Sequence, residues 1–374
     1  MNIKDKKQRL IFFLPVFIYG GAAESIIKLS KFLIDHNYSI LLISIGKNVH
    51  KKYLKKIGCN VIELNTNRAL FSILALRKII KIEIKKNYSK TILISNIHYA
   101  NIISLISCFK LRGVKTILTE RSSLSELSIY DGFFNFLKKK AIFSLAKYFY
   151  KFSDLIITNS FFEKKFIKKN FNIKNVKYIY PASILKVKKR KYKINKKINN
   201  VKKIIYVGRL SEEKGVITIL KALTLIRNKL NFKLEIYGNG NEKQKILEFI
   251  KSNNLNNNIL FYGYVKNKNK IFSNKDLFIN ASWFEGLPNA LVQSINNNIF
   301  PICSKSPGGN LEVIKYGELG LSFKTNSSYD LAKKIMFFFK KKLKLNQSKR
   351  IKHMQNFTQK KSNQKYLKIL KNLK

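Results

Sequence analysis

Cysteine, acidic residues and long hydrophobic runs are scarce in this 374-residue chain. Its three cysteines, Cys59, Cys108 and Cys303, lie far apart and form no Cys-x-x-Cys motif, which argues against a disulfide framework and against a zinc site. The apolar run Leu10–Tyr19 is about half as long as the roughly 20 residues of a transmembrane helix, and no cleavage-site pattern follows it. We therefore expect a protein of the reducing cytoplasm whose first apolar run forms a buried strand.

The scarcity of acids gives a formal net charge of +54, from 74 Lys and Arg against 20 Asp and Glu. A nucleic-acid-binding protein could carry such a charge. Lys, however, greatly outnumbers Arg, Asn and Ile are also abundant, and Lys is scattered through nearly every segment, which is typical of AT-rich coding bias. We favour that bias over nucleic-acid binding. The surface still attracts phosphates and anionic lipid headgroups, so peripheral contact with an anionic membrane is compatible with the sequence.

The chain is too long for one hydrophobic core, since single cores stop growing near about 250–300 residues. Apolar runs of strand length alternate with segments of helical spacing, and the alternation restarts in the second half. The runs are residues 10–17, 40–45, 91–95, 115–119 and 155–158, then 203–207, 233–237, 259–261, 277–280 and 300–303. This pattern predicts an α/β protein with two doubly wound, Rossmann-like domains.

The predicted boundaries follow from composition. Residues 186–200 are polar and strongly basic with no apolar face, which indicates a linker, placed at 184–200, between a first domain, 1–183, and a second domain, 201–352. A nucleic-acid patch is the alternative there, but Tyr192 is its one aromatic residue. Residues 353–374 carry Tyr366, Leu367, Ile369 and Leu370 at helical spacing, which predicts a C-terminal helix that docks on the first domain.

The segment Ser282–Asn289 places an acid, a glycine and a proline where a strand leads into a helix. Glu285 and the backbone N–H groups after it should lie at the carboxyl ends of parallel strands, where α/β proteins bind ligands and helix N-termini favour anions. Gln293 follows eight positions later, about two helical turns on. The alternative for Glu285 is a simple acid at a helix start.

Two more segments connect a strand to a helix through glycine. The first such segment contains Gly20 and Gly21, which would let a ligand approach the backbone closely. The alternative is a tight turn that binds no ligand. The second runs from Gly208 to Gly215. There Arg209 can bind two phosphate oxygens as a fork, and Lys214 adds a point charge near the helix start. A solvated basic loop is the alternative reading of that segment.

Together and in this order, these segments resemble the retaining, nucleotide-sugar-dependent glycosyltransferases of family 4, which have the GT-B fold, and more narrowly those that build bacterial surface polysaccharides. The resemblance covers essentially the whole chain. Its other parts are residues 156–160, 178–181, 237–240 and 308–314. The resemblance implies two domains that face a cleft, with the donor nucleotide against the second domain and the acceptor against the first.

The resemblance also implies roles for individual residues. Arg209 and Lys214 match the family's diphosphate-binding pair, and Glu285 matches the first glutamate of its Glu-x7-Glu motif, near the donor sugar. The donor-binding residues implied in this way are Gly20, Gly21, Gly208, Arg209, Lys214, Gly238, Glu285, Gly286, Leu287, Pro288, Asn289 and Gln293. The implied catalytic residues are Glu285, Arg209 and Lys214, with Glu120 and Arg121 as candidates in the first domain.

The chain departs from the family pattern at two places. Gln293 replaces the second motif glutamate, whose role is to bind the ribose hydroxyls; its amide can still form such a hydrogen bond, without the strengthening charge. Glu120 and Arg121 stand where the family often has a histidine, as in some bacterial surface-polysaccharide enzymes. His98 is expected to be structural.

We expect no cofactor and no metal site, because no two aspartates lie close together as in the Asp-x-Asp motif of the other main glycosyltransferase fold. Arg209 and Lys214 would neutralise the departing diphosphate instead. A paired-carboxylate hydrolase, with Glu285 and Glu120 as the pair, is an alternative that sequence alone leaves open.

The sequence thus predicts a retaining, metal-independent glycosyltransferase. It would move a hexose or N-acetylhexosamine from a nucleoside diphosphate sugar, with UDP favoured, to a lipid-linked, lipopolysaccharide or polysaccharide acceptor. It would work in the cytoplasm or at the inner face of the membrane. The alternatives are a nucleotide-sugar epimerase of the same fold and a non-catalytic scaffold or basic module that binds membrane or nucleic acid. No feature indicates an oligomeric state.

Overall fold

A computed structural model of the protein describes residues 7–17, 21–66, 71–128, 133–189, 201–265 and 271–373. The chain divides into two compact units, one made of Met1–Tyr180 with Asn363–Lys374 and the other of Pro181–Ser362. Each unit is built on one parallel sheet covered by helices. Two Rossmann-like α/β domains are therefore confirmed.

The first unit has a seven-stranded sheet in the order β3-β2-β1-β4-β5-β6-β7. The strands are β1 Gln8–Leu14, β2 Tyr38–Ser44, β3 Asn60–Glu63, β4 Thr91–Asn96, β5 Val114–Glu120, β6 Leu155–Thr158 and β7 Val176–Tyr178. The helices are α1 Gly21–Ile34, α2 Lys51–Lys56, α3 Ser72–Lys85, α4 His98–Cys108, α5 Phe133–Phe149 and α6 Phe161–Phe171. The strand order reverses between β1 and β4.

The second unit repeats this topology with six strands in the order β10-β9-β8-β11-β12-β13. The strands are β8 Lys202–Val207, β9 Phe232–Tyr237, β10 Ile259–Gly263, β11 Leu277–Asn280, β12 Phe300–Ser304 and β13 Leu321–Phe323. The helices are α7 Val216–Ile226, α8 Lys243–Ser252, α9 Asn289–Asn296, α10 Asn310–Val313, α11 Ser328–Lys341 and α12 Gln347–Met354. The order reverses between β8 and β11, and ligands of open α/β sheets bind at such a reversal.

The neighbouring strands β1, β2 and β4 are rich in buried apolar residues because helices cover both faces of a parallel sheet. In β1, Leu10 and Phe12 point to the face covered by α1, whereas Ile11 and Phe13 point to the face covered by α3 and α4. All four side chains are at most 1% exposed. β1 ends at Leu14, before Pro15, whose nitrogen has no hydrogen for the sheet ladder.

The last helix, α13 Gln359–Asn372, docks on the first unit as predicted. Tyr366, Ile369 and Leu370 join the core cluster that contains Leu10 and Phe12 of β1. Residues 353–357, which the prediction placed in the same helix, belong to α12 and a 3₁₀ turn, and the extended Thr358 (φ −74°, ψ 149°) separates them from α13.

The predicted linker is described in part. Residues 190–200 lie outside the described residues. Residues 184–189 belong to the second unit, where the Lys188 backbone N–H donates to Asn296 Oδ1 (3.1 Å) and the fully buried Arg350 donates from Nη2 to the Lys188 carbonyl (2.9 Å). Within the described ranges, no helix has both the length and the apolarity to cross a bilayer.

Removing a buried side chain of α13 should destabilise the first unit. Leu370 is 1% exposed in the core cluster, so Leu370→Ala should lower the free energy of unfolding by about 2–5 kcal/mol, through lost transfer free energy and a residual cavity. Urea unfolding measures this change. The exposed neighbour Lys371→Ala should change it by less than about 0.5 kcal/mol. Equal effects of the two substitutions would mean that α13 is not part of the core.

Candidate functional site

The loops after β8 and β11, on either side of the strand-order reversal, bring Lys214 and Glu285 together. Lys214 Nζ donates to Glu285 Oε1 at 2.7 Å, and Ser282 Oγ donates to the same oxygen at 2.8 Å. Both side chains of the ion pair are half-buried, at 17% and 14% exposure. One carboxylate oxygen of Glu285 is thus fixed by two donors. Lys214 and Glu285, which are 71 positions apart in the sequence, form an ion pair at the sheet edge.

Backbone contacts between neighbouring loops hold Glu285 in place. Its N–H donates to the Pro307 carbonyl at 3.0 Å, and it pairs with Gly308 in an isolated parallel bridge. Gly308 has a φ of +111°, and a Cβ there would lie 1.5 Å from the Glu285 carbonyl oxygen. No other residue fits at that position. Gly286 is held by the same contact, because its carbonyl accepts from the Gly309 N–H at 3.1 Å.

A similar contact joins the loops after β8 and β9. The Gly208 N–H donates to the Tyr237 carbonyl at 3.0 Å, and a Cβ on Gly238 would lie 1.7 Å from the Gly208 carbonyl oxygen. The hydroxyl of Tyr206, which is 3% exposed, donates to the Arg209 carbonyl at 2.8 Å. Burial raises the pKa of that hydroxyl, so it remains a donor at physiological pH. The backbone that presents Arg209 is therefore fixed from two sides.

The side chain of Arg209 is exposed. Within the described part of the chain its guanidinium has no hydrogen bond and no ion pair, in contrast to the neighbouring Lys214. An unpaired guanidinium has five N–H donors in a planar fork that suits phosphate oxygens. Arg209 can therefore take an anion without first giving up a partner.

The other predicted donor-binding residues surround the start of α9. Leu287 is buried at 7% exposure, and the extended Pro288 precedes the first helical residue. Asn289 Oδ1 accepts from Ser183 Oγ at 2.6 Å, and Gln293 Nε2 donates to the Ser183 carbonyl at 3.1 Å. Both polar side chains thus bind the segment that begins the second unit. The Gln293 amide oxygen is not used in that bond.

The predicted glycine loop of the first unit is described only at its end. Gly20 lies outside the described residues. Gly21 is the first residue of α1.

Glu120 and Arg121 lie at the carboxyl end of β5, as predicted, and point into a polar network. Glu120 is 1% exposed and accepts from Asn101 Nδ2 (2.7 Å) and from the Tyr150 hydroxyl. Arg121 Nε donates to Asn96 Oδ1 at 2.7 Å, and burial lowers the pKa of its guanidinium, which still stays charged at neutral pH. Both side chains are thus oriented by neighbours, and Glu120 is almost fully buried.

Sequence reasoning missed that Glu120 belongs to a cluster with the buried His98 and Glu163 and the half-buried Glu126. His98 Nδ1 lies 3.8 Å from Glu120 Oε2, and its Nε2 lies 3.5 Å from Glu126 Oε1. Burial opposes the charged form of His98, but the surrounding carboxylates outweigh it and raise its pKa. The first contact is longer than a hydrogen bond, so its contribution is Coulombic.

Glu163 is fully buried and accepts two hydrogen bonds, from the Leu124 N–H and from Ser123 Oγ, both at 2.9 Å. Burial raises its pKa to about 8 despite these bonds. A local signal existed for its position: Ser160 caps α6 by accepting from the Glu163 N–H at 3.2 Å, and a Ser-x-x-Glu spacing is typical of a helix start. Its long-range partners have no such signal.

The site of the second unit lies in a stretch with known relatives. Residues 187–366 match the family model described as glycosyl transferases group 1, and the match includes Arg209, Lys214, Glu285 and Gln293. This stretch is therefore similar to a group 1 glycosyltransferase domain.

Two curated relatives extend this similarity. An uncharacterised glycosyltransferase of Methanocaldococcus jannaschii is 31% identical over 246 residues, which are 63% of this chain and 59% of the relative. The Campylobacter jejuni N-acetylgalactosamine-N,N'-diacetylbacillosaminyl-diphospho-undecaprenol 4-alpha-N-acetylgalactosaminyltransferase is 29% identical over 223 residues, 59% of each chain. The chain thus spans 59% of the length of these relatives.

Solved structures match over nearly the full chain. A glycosyltransferase of Rickettsia africae has a TM-score of 0.77 at 20% identity and covers 98% of both chains. Anabaena HepE, crystallised with UDP and glucose, has a TM-score of 0.77 at 18% identity, with 97% of this chain and 99% of HepE covered. At such identities the likeness concerns the fold alone, and it confirms the predicted GT-B fold.

The contact of Gly308 with Glu285 gives a test of the site's architecture. Gly308→Ala should lower the free energy of unfolding by more than about 3 kcal/mol and weaken anion binding, because the new Cβ would displace the Glu285 carbonyl. Gly317→Ala is the matched control, since Gly317 has a φ of +109° but nothing within 4 Å of a Cβ. It should cost only about 1–2 kcal/mol for backbone strain. Equal costs, measured by urea unfolding, would show that no close contact exists at Gly308.

The raised pKa of Glu163 predicts that stability falls as pH rises. Between about pH 4.5 and pH 8 the folded chain keeps a proton on Glu163 that the unfolded chain has lost, so the free energy of unfolding decreases across this window. Glu163→Gln should make that decrease smaller. His98, whose pKa is also raised, acts in the same direction and remains in the variant.

Urea unfolding at about pH 5 and about pH 8 measures this pH dependence. The exposed Glu248→Gln, in the second unit, should leave the difference between the two pH values unchanged. A Glu163→Gln variant whose difference equals that of the unmodified protein would contradict a buried, protonated Glu163.

Proposed function

We propose that this protein is a retaining glycosyltransferase that moves a hexose or N-acetylhexosamine from a nucleoside diphosphate sugar, with UDP as the nucleotide, to a lipid-linked, lipopolysaccharide or polysaccharide acceptor. One observation carries the proposal: the loop after β8 holds both Arg209, which is exposed and unpaired among the described residues, and Lys214, which pairs with Glu285. All three residues lie in the stretch that matches the group 1 glycosyltransferase model. UDP is supported by HepE, which was crystallised with UDP and glucose. A lipid-linked acceptor is supported by the Campylobacter relative, whose name gives a diphospho-undecaprenol substrate. The reaction would take place in the cytoplasm or at the inner face of the membrane.

Arg209 and Lys214 would bind the donor diphosphate. Without a donor, Glu285 already neutralises Lys214, whereas Arg209 has no ion pair with any residue that the structure describes. An ammonium has three donors, so Lys214 can keep its bond to Glu285 and still donate to a phosphate oxygen. The fixed backbone at Gly208 and Gly238 then limits reorganisation when the anion arrives. Preorganised donors of this kind stabilise the charge that develops on a departing diphosphate.

Glu285 would contact the donor sugar. Its Oε1 accepts from Lys214 and Ser282, and its Oε2 has no hydrogen bond among the described residues. A half-buried carboxylate oxygen with an open coordination side can accept from a sugar hydroxyl, and the bond is strengthened by its charge. The two donors on Oε1 orient the carboxylate for that contact.

The transfer itself would be a substitution at the anomeric carbon. The bond from this carbon to the diphosphate oxygen breaks with its electron pair going to the diphosphate, and the acceptor oxygen forms its bond on the same face. The acceptor proton passes to a phosphate oxygen of the leaving group. Arg209 and Lys214 balance the leaving-group charge in this scheme, so it uses no metal and no cofactor. In the first unit, Asn96 would position Arg121, and Asn101 and Tyr150 would position Glu120.

Nucleotide binding tests the donor site. Calorimetric titration with UDP, GDP and ADP at one moderate salt concentration should show preference for UDP. Arg209→Ala and Lys214→Ala should each weaken UDP binding by roughly 10–100-fold, about 1.4–2.7 kcal/mol, because each removes a cation that contacts the diphosphate. Lys229→Ala removes an exposed lysine outside the site and should change the affinity less than about twofold.

Binding that ignores the base, follows ionic strength alone and falls equally in Lys229→Ala would contradict the donor site, since a chain of charge +54 attracts any anion. Glu285→Gln separates binding from chemistry: it should keep most of the UDP affinity but lose sugar release from a UDP-sugar. Sugar release that persists in excess EDTA supports the metal-independent scheme. Loss of release in EDTA would overturn it.

A further inference from the structure

Helix α5 of the first unit has two apolar faces. Ile142, Phe143 and Phe149 pack against the core cluster that contains the fully buried Ala146. The opposite face holds large apolar side chains that are well exposed. They are Phe134 at 85%, Leu137 at 47%, Leu145 at 46% and Tyr148 at 57%. A helix of a globular protein normally has one apolar face, so the outward one requires an explanation.

The outward residues form a continuous stripe. Positions 134, 137, 141, 145 and 148 are three or four residues apart, which places them on one side of a helix. Ala141, in the middle, is also exposed. From Phe134 to Tyr148 there are fourteen residue steps of about 1.5 Å each, so the stripe is about 21 Å long. We call it the α5 stripe: Phe134, Leu137, Ala141, Leu145 and Tyr148.

Lysines border the α5 stripe and no acid interrupts it. At about 100° per residue, Lys138 lies along one side and Lys140 and Lys147 along the other, and all three are exposed. Lys151, in the next turn, places its Nζ 4.5 Å from the centre of the Tyr148 ring. Residues 133–152 contain no Asp or Glu. An apolar stripe between rows of lysine is the pattern of helices that lie in a membrane interface.

Composition alone does not produce this segregation, as helix α3 of the same unit shows. Leu74 and Ile82 are eight positions apart and 76% and 50% exposed, which matches the spacing of Leu137 and Leu145. The residue midway between Leu74 and Ile82 is the exposed Lys78, whereas Ala141 takes that place in α5. Lysine thus interrupts the exposed apolar residues of α3, whereas on α5 the apolar residues and the lysines lie on separate parts of the helix surface.

We propose that the α5 stripe is a docking surface for an anionic membrane, with the helix lying in the plane of the interface, its stripe among the acyl chains and its lysines at the headgroups. The lysines favour an anionic lipid surface. A second copy of the chain is a poorer occupant, because protein interfaces are depleted of Lys and each copy carries a charge of +54. The surface extends the proposed function, in which the acceptor is lipid-linked, but its test uses no acceptor and no nucleotide.

Cosedimentation of the full chain with vesicles tests the proposal. The protein should bind vesicles of 30% phosphatidylglycerol in phosphatidylcholine and bind pure phosphatidylcholine at least 10-fold more weakly. Leu137→Gln with Leu145→Gln should weaken binding to the anionic vesicles at least 10-fold. The matched pair Leu74→Gln with Ile82→Gln, on α3, should weaken it less than twofold. All four positions are exposed, so neither pair disturbs the core.

Three outcomes would overturn the proposal. The first is that the unmodified protein does not bind the anionic vesicles. The second is that the α5 and α3 pairs weaken binding equally, so that the attraction would depend on overall charge and composition. The third is that light scattering shows a dimer that only the α5 pair dissociates, so that the stripe would be an interface between copies. The α5 pair should keep its UDP affinity within about twofold in the absence of vesicles. Failure at the membrane and failure at the donor site are therefore separate results.

Discussion

The candidate site depends on loops that meet backbone to backbone. At the strand-order reversal of the second sheet, Gly308 approaches the Glu285 carbonyl and Gly238 approaches the Gly208 carbonyl so closely that a methyl group on either glycine would collide with it. These contacts fix the backbone positions from which the Arg209 and Glu285 side chains extend. A displacement of about 1 Å in a catalytic group can cost a factor of about 100 in rate. Gly238 and Gly308 therefore determine the positions of the Arg209 and Glu285 side chains, although they have no side chains of their own.

The few acids of the chain are concentrated where they have defined partners. With 20 acids against 74 bases, Glu120, Glu126 and Glu163 nevertheless meet around His98, and Glu285 is fixed by Lys214. A bias in composition toward lysine would not by itself bring these acids together. A buried acid is retained where hydrogen bonds or a nearby positive group offset the desolvation of its carboxylate, or where it keeps its proton, as the raised pKa of Glu163 indicates. The positions of the few acidic residues thus say more about the sites of this protein than the positions of its many lysines.

The sequence reveals those features that depend on local pattern. Gly208 and Arg209 follow one apolar run of strand length, and Glu285 and Gly286 follow another. This local pattern predicts that they lie near strand ends, without knowledge of the fold. The contact of Lys214 with Glu285 joins positions 71 residues apart and depends on β8 and β11 being neighbours, which only the sheet order provides. The burial of Glu163 and the outward face of α5 were missed for the same reason: local pattern does not show what packs against a helix.

Gln293 shows how a departure from the family pattern can follow from its surroundings. Its Nε2 donates to the Ser183 carbonyl at 3.1 Å, and the neighbouring Asn289 binds the Ser183 hydroxyl. A glutamate carboxylate has no hydrogen to donate and would place its charge beside that carbonyl oxygen. Glutamine keeps an amide oxygen for a ligand hydroxyl and supplies the donor that Ser183 requires. Relative to glutamate, glutamine thus gives up the negative charge of the acceptor and gains a bond that anchors the start of the second unit.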